Sequence, residues 1–315
     1  MKILITGAGG FIGTNLTIAA IEQDHEVFAV DIDQGACDRL MDILKDNPKK
    51  TNCNLYSVDM VSDGFLQRAA KWKPDAIIHL AAIPRVSYSV EHPFETSETN
   101  ISKTVKLLEF AKDNEIQRVV FASSSSVYGG AENMPTKETE PLAPKSPYAL
   151  QKMQGEEWMS MFSDLYGIDT VSLRFFNVFG PHQYGDSAYA TAISAWCQAL
   201  VDKKPLRLDG SGEQSRDLCY VDNVTQACLL AALRKDDFKG EAYNVACNDR
   251  TSLNEILDHF QKKGFEFEIT NAPFRAGDVM HTKADIAKIQ KDMGYEATVD
   301  FWTGLQKTFD WWGLK

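Results

Sequence analysis

Lys2-Ile3-Leu4-Ile5-Thr6-Gly7-Ala8-Gly9-Gly10-Phe11-Ile12-Gly13 runs from a short β-branched apolar segment straight into a glycine-rich turn. An apolar run of this kind reads as a buried parallel strand, and the turn after it as the loop that opens a helix. Each glycine has a backbone reason. Gly7 permits the tight turn, Gly10 lets a pyrophosphate reach main-chain N–H groups at the helix N-terminus, and Gly13 allows the helix to pack closely on the sheet, with Phe11 and Ile12 completing the loop. The spacing is G-x-x-G-x-x-G, not G-x-G-x-x-G. A second apolar run at residues 26–30 ends in Asp31, where a carboxylate would accept a hydrogen bond from an adenosine ribose 2′-hydroxyl. A 2′-phosphate would be repelled there and no arginine follows Asp31 directly, so the expected dinucleotide is NAD, not NADP.

Further apolar runs at 54–58, 75–80, 117–122 and 170–175 alternate with amphipathic segments such as 101–113 and 146–167. That alternation predicts an α/β fold, a Rossmann-type doubly wound parallel sheet covered by helices on both faces. Right-handed crossovers then put the ligand crevice at the carboxyl edge of the strands. That edge carries Gly7 to Gly13, Asp31, Ala81-Ala82, Ser123 to Ser126 and Asn177. Residues 1–176 are expected to be the NAD-binding domain and 177–315 mainly a smaller α/β substrate-binding lobe, with part of 219–246, including the apolar run 242–245, rejoining the large sheet. A terminal helix over 301–312 carries Trp302, Trp311 and Trp312, which read as packing residues.

Tyr148-Ala149-Leu150-Gln151-Lys152 supplies the chemistry. The i, i+4 spacing puts a phenol and an ammonium on one helix face, where the positive charge favours the phenolate. A serine hydroxyl from the run Ser123 to Ser126, with Ser124 as the candidate, can share a proton with a substrate hydroxyl. Together they form an acid/base relay for oxidising an alcohol. Taken alone, Tyr-x-x-x-Lys also fits a solvated helix face; the nucleotide-binding signature ahead of it favours chemistry.

The formal net charge of −11 excludes nucleic acid and anionic membrane as expected partners. With 44% hydrophobic residues over 315 positions the chain can bury a core of two lobes. No apolar run reaches the length of a membrane span, and a strand beginning at residue 2 leaves no room for a signal peptide, so a cytoplasmic location is expected. Cys37, Cys53, Cys197, Cys219, Cys228 and Cys247 form no C-x-x-C pair and read as reduced, packed thiols. The histidines form no H-E-x-x-H motif, and no metal is assigned.

The order of these pieces resembles the extended short-chain dehydrogenase/reductases, in the group of nucleotide-sugar epimerases and dehydratases. Further matching segments are Asp59-Met60, His79-Leu80-Ala81-Ala82, Asn100, Ser123 to Gly129, Arg174 to Pro181, Arg216-Asp217 and Arg275-Ala276-Gly277-Asp278. The resemblance implies that Asp59 meets the adenine amino group and Met60 its ring. It also implies that Ala81, Ala82 and Asn100 line the path to the nicotinamide with Phe176 beside it. Lys152 would hold the nicotinamide ribose as well as assist Tyr148. A UDP-sugar would be clamped at its phosphates by Arg216 and Arg275, with Asp278 in the same motif. Thr191-Ala192 would offer backbone groups to uracil, and the segment from Leu206 to Asp209 its other wall, where Arg207 stands in place of an aromatic ring. One departure is Lys103, where relatives often have glycine. A homodimer through the helices at 101–113 and 146–167 is implied too.

The residues directly after Ser124 decide between reactions. Dehydratases of this group carry Asp-Glu immediately after the active-site hydroxyl residue, and decarboxylases usually have glutamate where Ser126 stands; here the segment reads Ser124-Ser125-Ser126-Val127-Tyr128-Gly129. Without an acid/base pair the ketone formed at C4 can only take its hydride back, and return to the other face is epimerisation. Some UDP-galactose epimerases have tyrosine at the position of Thr282, whose smaller side chain leaves room beside the sugar C2. Asn177 and Ser125 have hydrogen bonds to offer an N-acetyl group there. The segments around Arg216, Asn244 and Arg250 most resemble UDP-N-acetylglucosamine 4-epimerases. The expected function is therefore interconversion of UDP-GlcNAc and UDP-GalNAc, or of their uronic acids, with UDP-glucose/UDP-galactose as a side activity. The alternatives are another NAD-dependent nucleotide-sugar enzyme (dehydratase, decarboxylase or reductase) and a non-catalytic NAD-binding sensor, which the intact Ser124, Tyr148 and Lys152 disfavour.

Overall fold

The first strand, β1 (Lys2–Thr6), is apolar on both faces and almost wholly buried, which is what a strand in the middle of a parallel sheet requires. The computed structural model describes residues 1–185, 191–274 and 279–315. After β1 the order is α1 (Phe11–Glu22), β2 (Glu26–Asp31), α2 (Gln34–Leu44), β3 (Cys53–Ser57), α3 (Asp63–Trp72) and β4 (Ala76–His79). Two short helices, α4 (Val86–Glu91) and α5 (Pro93–Ser97), lead through a π-helical turn at Glu98–Ser102 into α6 (Lys103–Asp113). Then come β5 (Arg118–Ser124), α7 (Pro147–Tyr166) and β6 (Asp169–Phe175). The remaining elements are β7 (Asn177–Phe179), α8 (Ala192–Val201), β8 (Leu206–Asp209), β9 (Ser215–Arg216), β10 (Leu218–Tyr220), α9 (Val221–Leu233) and β11 (Ala242–Val245). They are followed by β12 (Thr251–Ser252), α10 (Leu253–Lys262), β13 (Ile269–Ala272), α11 (Ala287–Met293) and α12 (Phe301–Trp312).

The main sheet has seven strands in the order β11-β6-β5-β4-β1-β2-β3, and the pairs β1–β2, β1–β4, β2–β3 and β4–β5 are parallel. The chain reverses its direction of travel across the sheet between β1 and β4, the topological switch at which such sheets bind dinucleotides. The apolar run at 242–245 is the seventh strand, at the edge beside β6.

Two compact units divide the chain. The first comprises Met1–Ser124, Pro147–Arg174 and Thr225–Tyr243. Its core gathers Leu4, Phe28, Val30, Phe65, Leu107, Phe121 and Phe162, all nearly inaccessible. Each large side chain buried there contributes about 1.5–3 kcal/mol of transfer free energy. Two buried ion pairs cross this unit. Arg118 pairs with Asp169, whose other oxygen accepts the Phe238 and Lys239 N–H groups, and Arg174 grips Glu156 at 2.6–2.9 Å. A buried pair offsets its desolvation only with supporting hydrogen bonds, such as those of the Phe238 and Lys239 N–H groups to Asp169.

The second unit comprises Ser125–Ser146, Phe175–Val224 and Asn244–Lys315. Three small sheets build it: β10 with β7 and β13 with β8, both parallel, and β12 with β9, antiparallel. Helix α10 begins with a capping box between Ser252 and Glu255, and α12 begins where Asp300 accepts the Thr303 N–H. Of the tryptophans in α12, Trp311 packs edge-on to His182 and Tyr184, whereas Trp302 lies against His259 and stays 42% exposed, so packing accounts for it only in part. Among the described residues no helix is long and apolar enough to cross a membrane.

Candidate active site

The glycine turn behaves as its spacing requires. Gly7 has φ +71°, a conformation that side chains resist, and a Cβ on it would lie 2.8 Å from the Ala81 nitrogen. A Cβ on Gly13 would run into the Gly7 carbonyl, so α1 presses directly on the turn. Gly10 is the N-cap of α1, with no side chain capping the helix and no acidic residue in its first turn. Backbone N–H groups and the positive end of the helix dipole are therefore left for an anion. Phe11 and Ile12 remain partly exposed on that first turn. At the end of β2, Asp31 accepts the Gly9 N–H on one oxygen and the Asp33 N–H on the other, each at 3.0 Å. Burial raises its carboxyl above the usual carboxylate range against those two N–H groups, and each oxygen keeps a lone pair for a ribose hydroxyl. An uncapped helix N-terminus, a cradle that any Cβ would fill and a carboxylate at the second strand together fit a dinucleotide.

Past β3, Met60 is buried in the core cluster, while Asp59 is half-exposed and accepts the Lys103 ammonium at 2.8 Å. Past β4, Ala81 donates its N–H to the Thr6 hydroxyl at 3.2 Å, and both Ala81 and Ala82 are partly exposed. Asn100 is 3% exposed and committed elsewhere: its amide brackets the Ile83 backbone at 2.8 and 3.1 Å and donates to Gln151 at 2.8 Å. It holds the 81–83 loop in shape.

Alternation along β5 sorts the serine run. Ser123 is buried and donates to Glu156, which Arg174 also holds, so it belongs to the ion-pair network. Ser124, one residue on, points to the other face and is hydrogen-bonded to Tyr148. Tyr148 stands in the first turn of α7, its backbone N–H donating to the Ser89 hydroxyl at 3.1 Å. Gly155 on the same helix sets how closely α7 approaches β5, because a Cβ there would enter the Phe121 ring. Lys152 consequently lies 4% exposed, its Nζ 4.8 Å from the Phe121 centroid and donating to the Ala122 carbonyl at 2.7 Å. Two of its protons remain for other acceptors.

Burial dominates the electrostatics of this group. It pushes the Tyr148 phenol up to about 12, with the Ser124 hydrogen bond opposing, and pulls the Lys152 ammonium down to about 7, with Glu156 opposing. The expectation that the ammonium favours the phenolate is therefore corrected for the protein on its own. Lys152 Nζ is 5.8 Å from the Tyr148 ring centroid, and burial sets the direction of the phenol's shift. His79 beneath them, bonded to Thr6 and Thr104, is driven by burial down to about 3 and stays neutral.

In the second unit, Ser125 opens the 3₁₀ turn Ser125–Tyr128 and is partly exposed. Phe176 is 3% exposed, its ring 6.4 Å from Tyr128 and its N–H bonded to the Val245 carbonyl, so it is a packed residue. Asn177 donates to the Asp217 carbonyl at 3.2 Å and to the Thr282 hydroxyl at 3.3 Å, and that hydroxyl also accepts the Asp217 N–H. Asp217 itself is buried and accepts the Cys247 and Ala284 N–H groups at 2.9 and 3.1 Å; burial nonetheless raises it to about 6. Arg216, partly buried, donates to the Ser215 and Met280 carbonyls. Thr191 is the N-cap residue of α8 and donates to Gln183 at 3.0 Å, while Ala192 opens the helix, partly exposed. Arg207 reaches into solvent, paired with Asp209 at 2.9 Å. Arg275 and Asp278 lie outside the described residues.

Two residues have an organising role that the sequence did not show. Asn244 accepts the Tyr128 hydroxyl at 2.7 Å and donates to the Thr136 and Asp285 carbonyls, tying three segments of this unit together. Asp217 does the same for the loops after β11 and before α11. For Asn244 the signal was a polar residue inside the apolar run 242–246, which calls for a buried partner; Asp217 stands between Arg216 and an apolar run and gave no such signal.

A family model described as the NAD dependent epimerase/dehydratase family matches residues 3–246. A UDP-glucose 4-epimerase from Mycolicibacterium smegmatis is 31% identical over 320 residues, covering 100% of this chain and 99% of the relative. Among solved structures, the UDP-N-acetylglucosamine 4-epimerase from Methanobrevibacter ruminantium M1, in complex with UDP-N-acetylmuramic acid, superposes with TM-score 0.90 at 32% identity, covering 98% of this chain and 97% of that one. The UDP-glucuronic acid 4-epimerase from Bacillus cereus, in complex with UDP-glucuronic acid and NAD, gives TM-score 0.89 at 28% identity, with 99% of both chains covered.

Proposed function

Because the chain belongs to the NAD-dependent epimerase/dehydratase family, we propose that it is an NAD-dependent UDP-sugar 4-epimerase whose preferred substrates are UDP-GlcNAc and UDP-GalNAc. The observation that carries the reaction type is the Ser124–Tyr148 hydrogen bond beside a buried Lys152, with serines in place of carboxylates after Ser124. Gly7, Gly10, Phe11, Ile12 and Gly13 would hold the pyrophosphate of NAD, Asp31 its adenosine ribose, Asp59 and Met60 its adenine, and Lys152 its nicotinamide ribose. When bound, NAD supplies an acceptor for hydride and, later, the donor that returns it.

The chain's own groups move the proton. Tyr148 takes the proton of the C4 hydroxyl with Ser124 bridging, and Lys152, once charged, steadies the phenolate so formed. Hydrogen bonds to ribose hydroxyls and positive charge nearby favour charged Lys152 and ionised Tyr148, the opposite of what burial does to each. Ser125 and Ser126 offer no acid to expel a C6 oxygen, so the ketone waits until the proton comes back from Tyr148. Arg216 would grip the diphosphate. A firm hold on UDP with a loose hold on the sugar lets the ketone present its other face.

The preference for an N-acetylhexosamine rests on Thr282 and Asn177. Thr282 is small and its hydroxyl accepts from Asn177 at 3.3 Å, and a larger ring at this position would take up room beside the sugar. The likeness to the archaeal UDP-N-acetylglucosamine 4-epimerase supports the same choice. A homodimer through α6 and α7 fits the apolar exposure of Leu150, Met161 and Leu165 on α7. The test is incubation of the purified protein with UDP-GlcNAc without added NAD. UDP-GalNAc should accumulate to equilibrium; a stable keto product, or dependence on added reductant, would overturn the assignment.

A further inference from the structure

From β1 the strands run outward as β1, β2, β3. Their carboxyl ends carry in turn the glycine turn, Asp31 and Asp59, and the Val58 N–H donates to the Asp31 carbonyl at 2.9 Å. A dinucleotide with its pyrophosphate at the turn and its ribose at Asp31 therefore carries its purine to Asp59. The role assigned to Lys103 rests on that placement of the purine.

Asp59 is not a bare carboxylate. One oxygen accepts the Val61 N–H at 3.0 Å and the other accepts Lys103 Nζ at 2.8 Å. Lys103 opens α6 directly after the π-helical turn, and the two side chains remain 22% and 35% exposed, accessible to a base edge. Burial alone would raise the Asp59 carboxyl; the bonds from Lys103 and the Val61 N–H more than offset it, so the acid stays ionised and the pair stays a pair.

A lone carboxylate offers only lone pairs. It accepts from the 6-amino group of adenine and repels the 6-oxo group of hypoxanthine. An ammonium within hydrogen-bond distance of it adds donors, and donor plus acceptor side by side satisfy either edge: amino group to Asp59 with a ring nitrogen to Lys103, or N1–H to Asp59 with the 6-oxygen to Lys103. We propose that Lys103, paired with Asp59, broadens base selection at the purine end of the cofactor site, so that the protein takes a 6-oxopurine dinucleotide nearly as well as NAD.

The test is competitive loading of the full chain. The protein is equilibrated with an equimolar mixture of NAD and nicotinamide hypoxanthine dinucleotide, desalted, and the released dinucleotides are quantified by chromatography. The wild type should hold the two within about tenfold of each other, and Lys103→Met, which keeps the apolar stem, should shift the ratio toward NAD by about tenfold or more. Lys103→Arg, retaining a donor, should keep the wild-type ratio. A ratio unchanged in Lys103→Met but altered in Asp59→Ala overturns the role of Lys103 and leaves the purine at Asp59. A ratio unchanged in both overturns the placement of the purine as well.

Discussion

Lys152 and Tyr148 stand one turn apart on α7, yet the lysine Nζ is 5.8 Å from the tyrosine ring centroid and donates to the Ala122 carbonyl instead. The hydroxyl that touches the phenol is that of Ser124. Under the proposed function proton transfer would run through Ser124 and Tyr148, and Tyr148→Phe should lower kcat by about a thousandfold or more with bound NAD unchanged. Turnover and the dinucleotide content of the purified variant check this together; near-native turnover would remove Tyr148 from the reaction.

Lys152 makes a signed prediction about stability. Its unfolded value is near 10.5 and its folded value about 7, so between those two the unfolded chain binds more protons and stability rises with pH. Below pH 7 the cost of charging a buried ammonium is present in full. The denaturation midpoint of the wild type should gain on that of Lys152→Met as pH moves from 7 to 9.5, a trend that urea titrations at three pH values would reveal.

Arg216 should act on substrate alone. Arg216→Ala removes a charged donor now leaning on the Ser215 and Met280 carbonyls, and KM for the UDP-sugar should rise roughly 10- to 100-fold with kcat little changed. Co-purifying NAD should be unaffected. A parallel loss of dinucleotide would mean that the arginine supports the fold instead.

Thr282→Tyr tests the sugar. The larger ring should cut kcat/KM for UDP-GlcNAc on the order of a hundredfold while UDP-glucose keeps most of its turnover, since only the former must fit an acetamide. Equal losses on both substrates would detach Thr282 from specificity and assign it to holding Asn177 and the Asp217 N–H.

Asp169→Ala should cost about 3–5 kcal/mol, because it strands the Arg118 guanidinium and two backbone N–H groups in a buried setting. Calorimetric unfolding would show it as a large drop in Tm.

The sheet was legible because its strands are apolar on both faces and punctuated by glycine or acid. The runs read at 26–30, 117–122 and 170–175 appear as β2, β5 and β6 with ends shifted by one or two residues, and the run at 242–245 is the edge strand beside β6. The π-helical turn before α6 was not legible, and neither was the hydrogen bond by which Asn100, within it, accepts the Ile83 N–H. At the site, side-chain identity and order along the chain carried the expectation, as at Asp31. Partnership stayed hidden: nothing in the spacing shows Asn100 bonding Gln151, Phe176 lying beside Tyr128 or Lys103 capturing Asp59. The charge state of Tyr148 escaped too, because desolvation is a property of neighbours far along the chain.

Gly7 and Ala81 come so close that a single methyl group could not be inserted between them. The turn after β1 and the loop after β4 are thus one wall, built from segments more than seventy positions apart. Neither position can drift alone: any enlargement at one must be met by retreat at the other, so under the proposed function the two ends of the dinucleotide would be gauged against each other by the width of one atom.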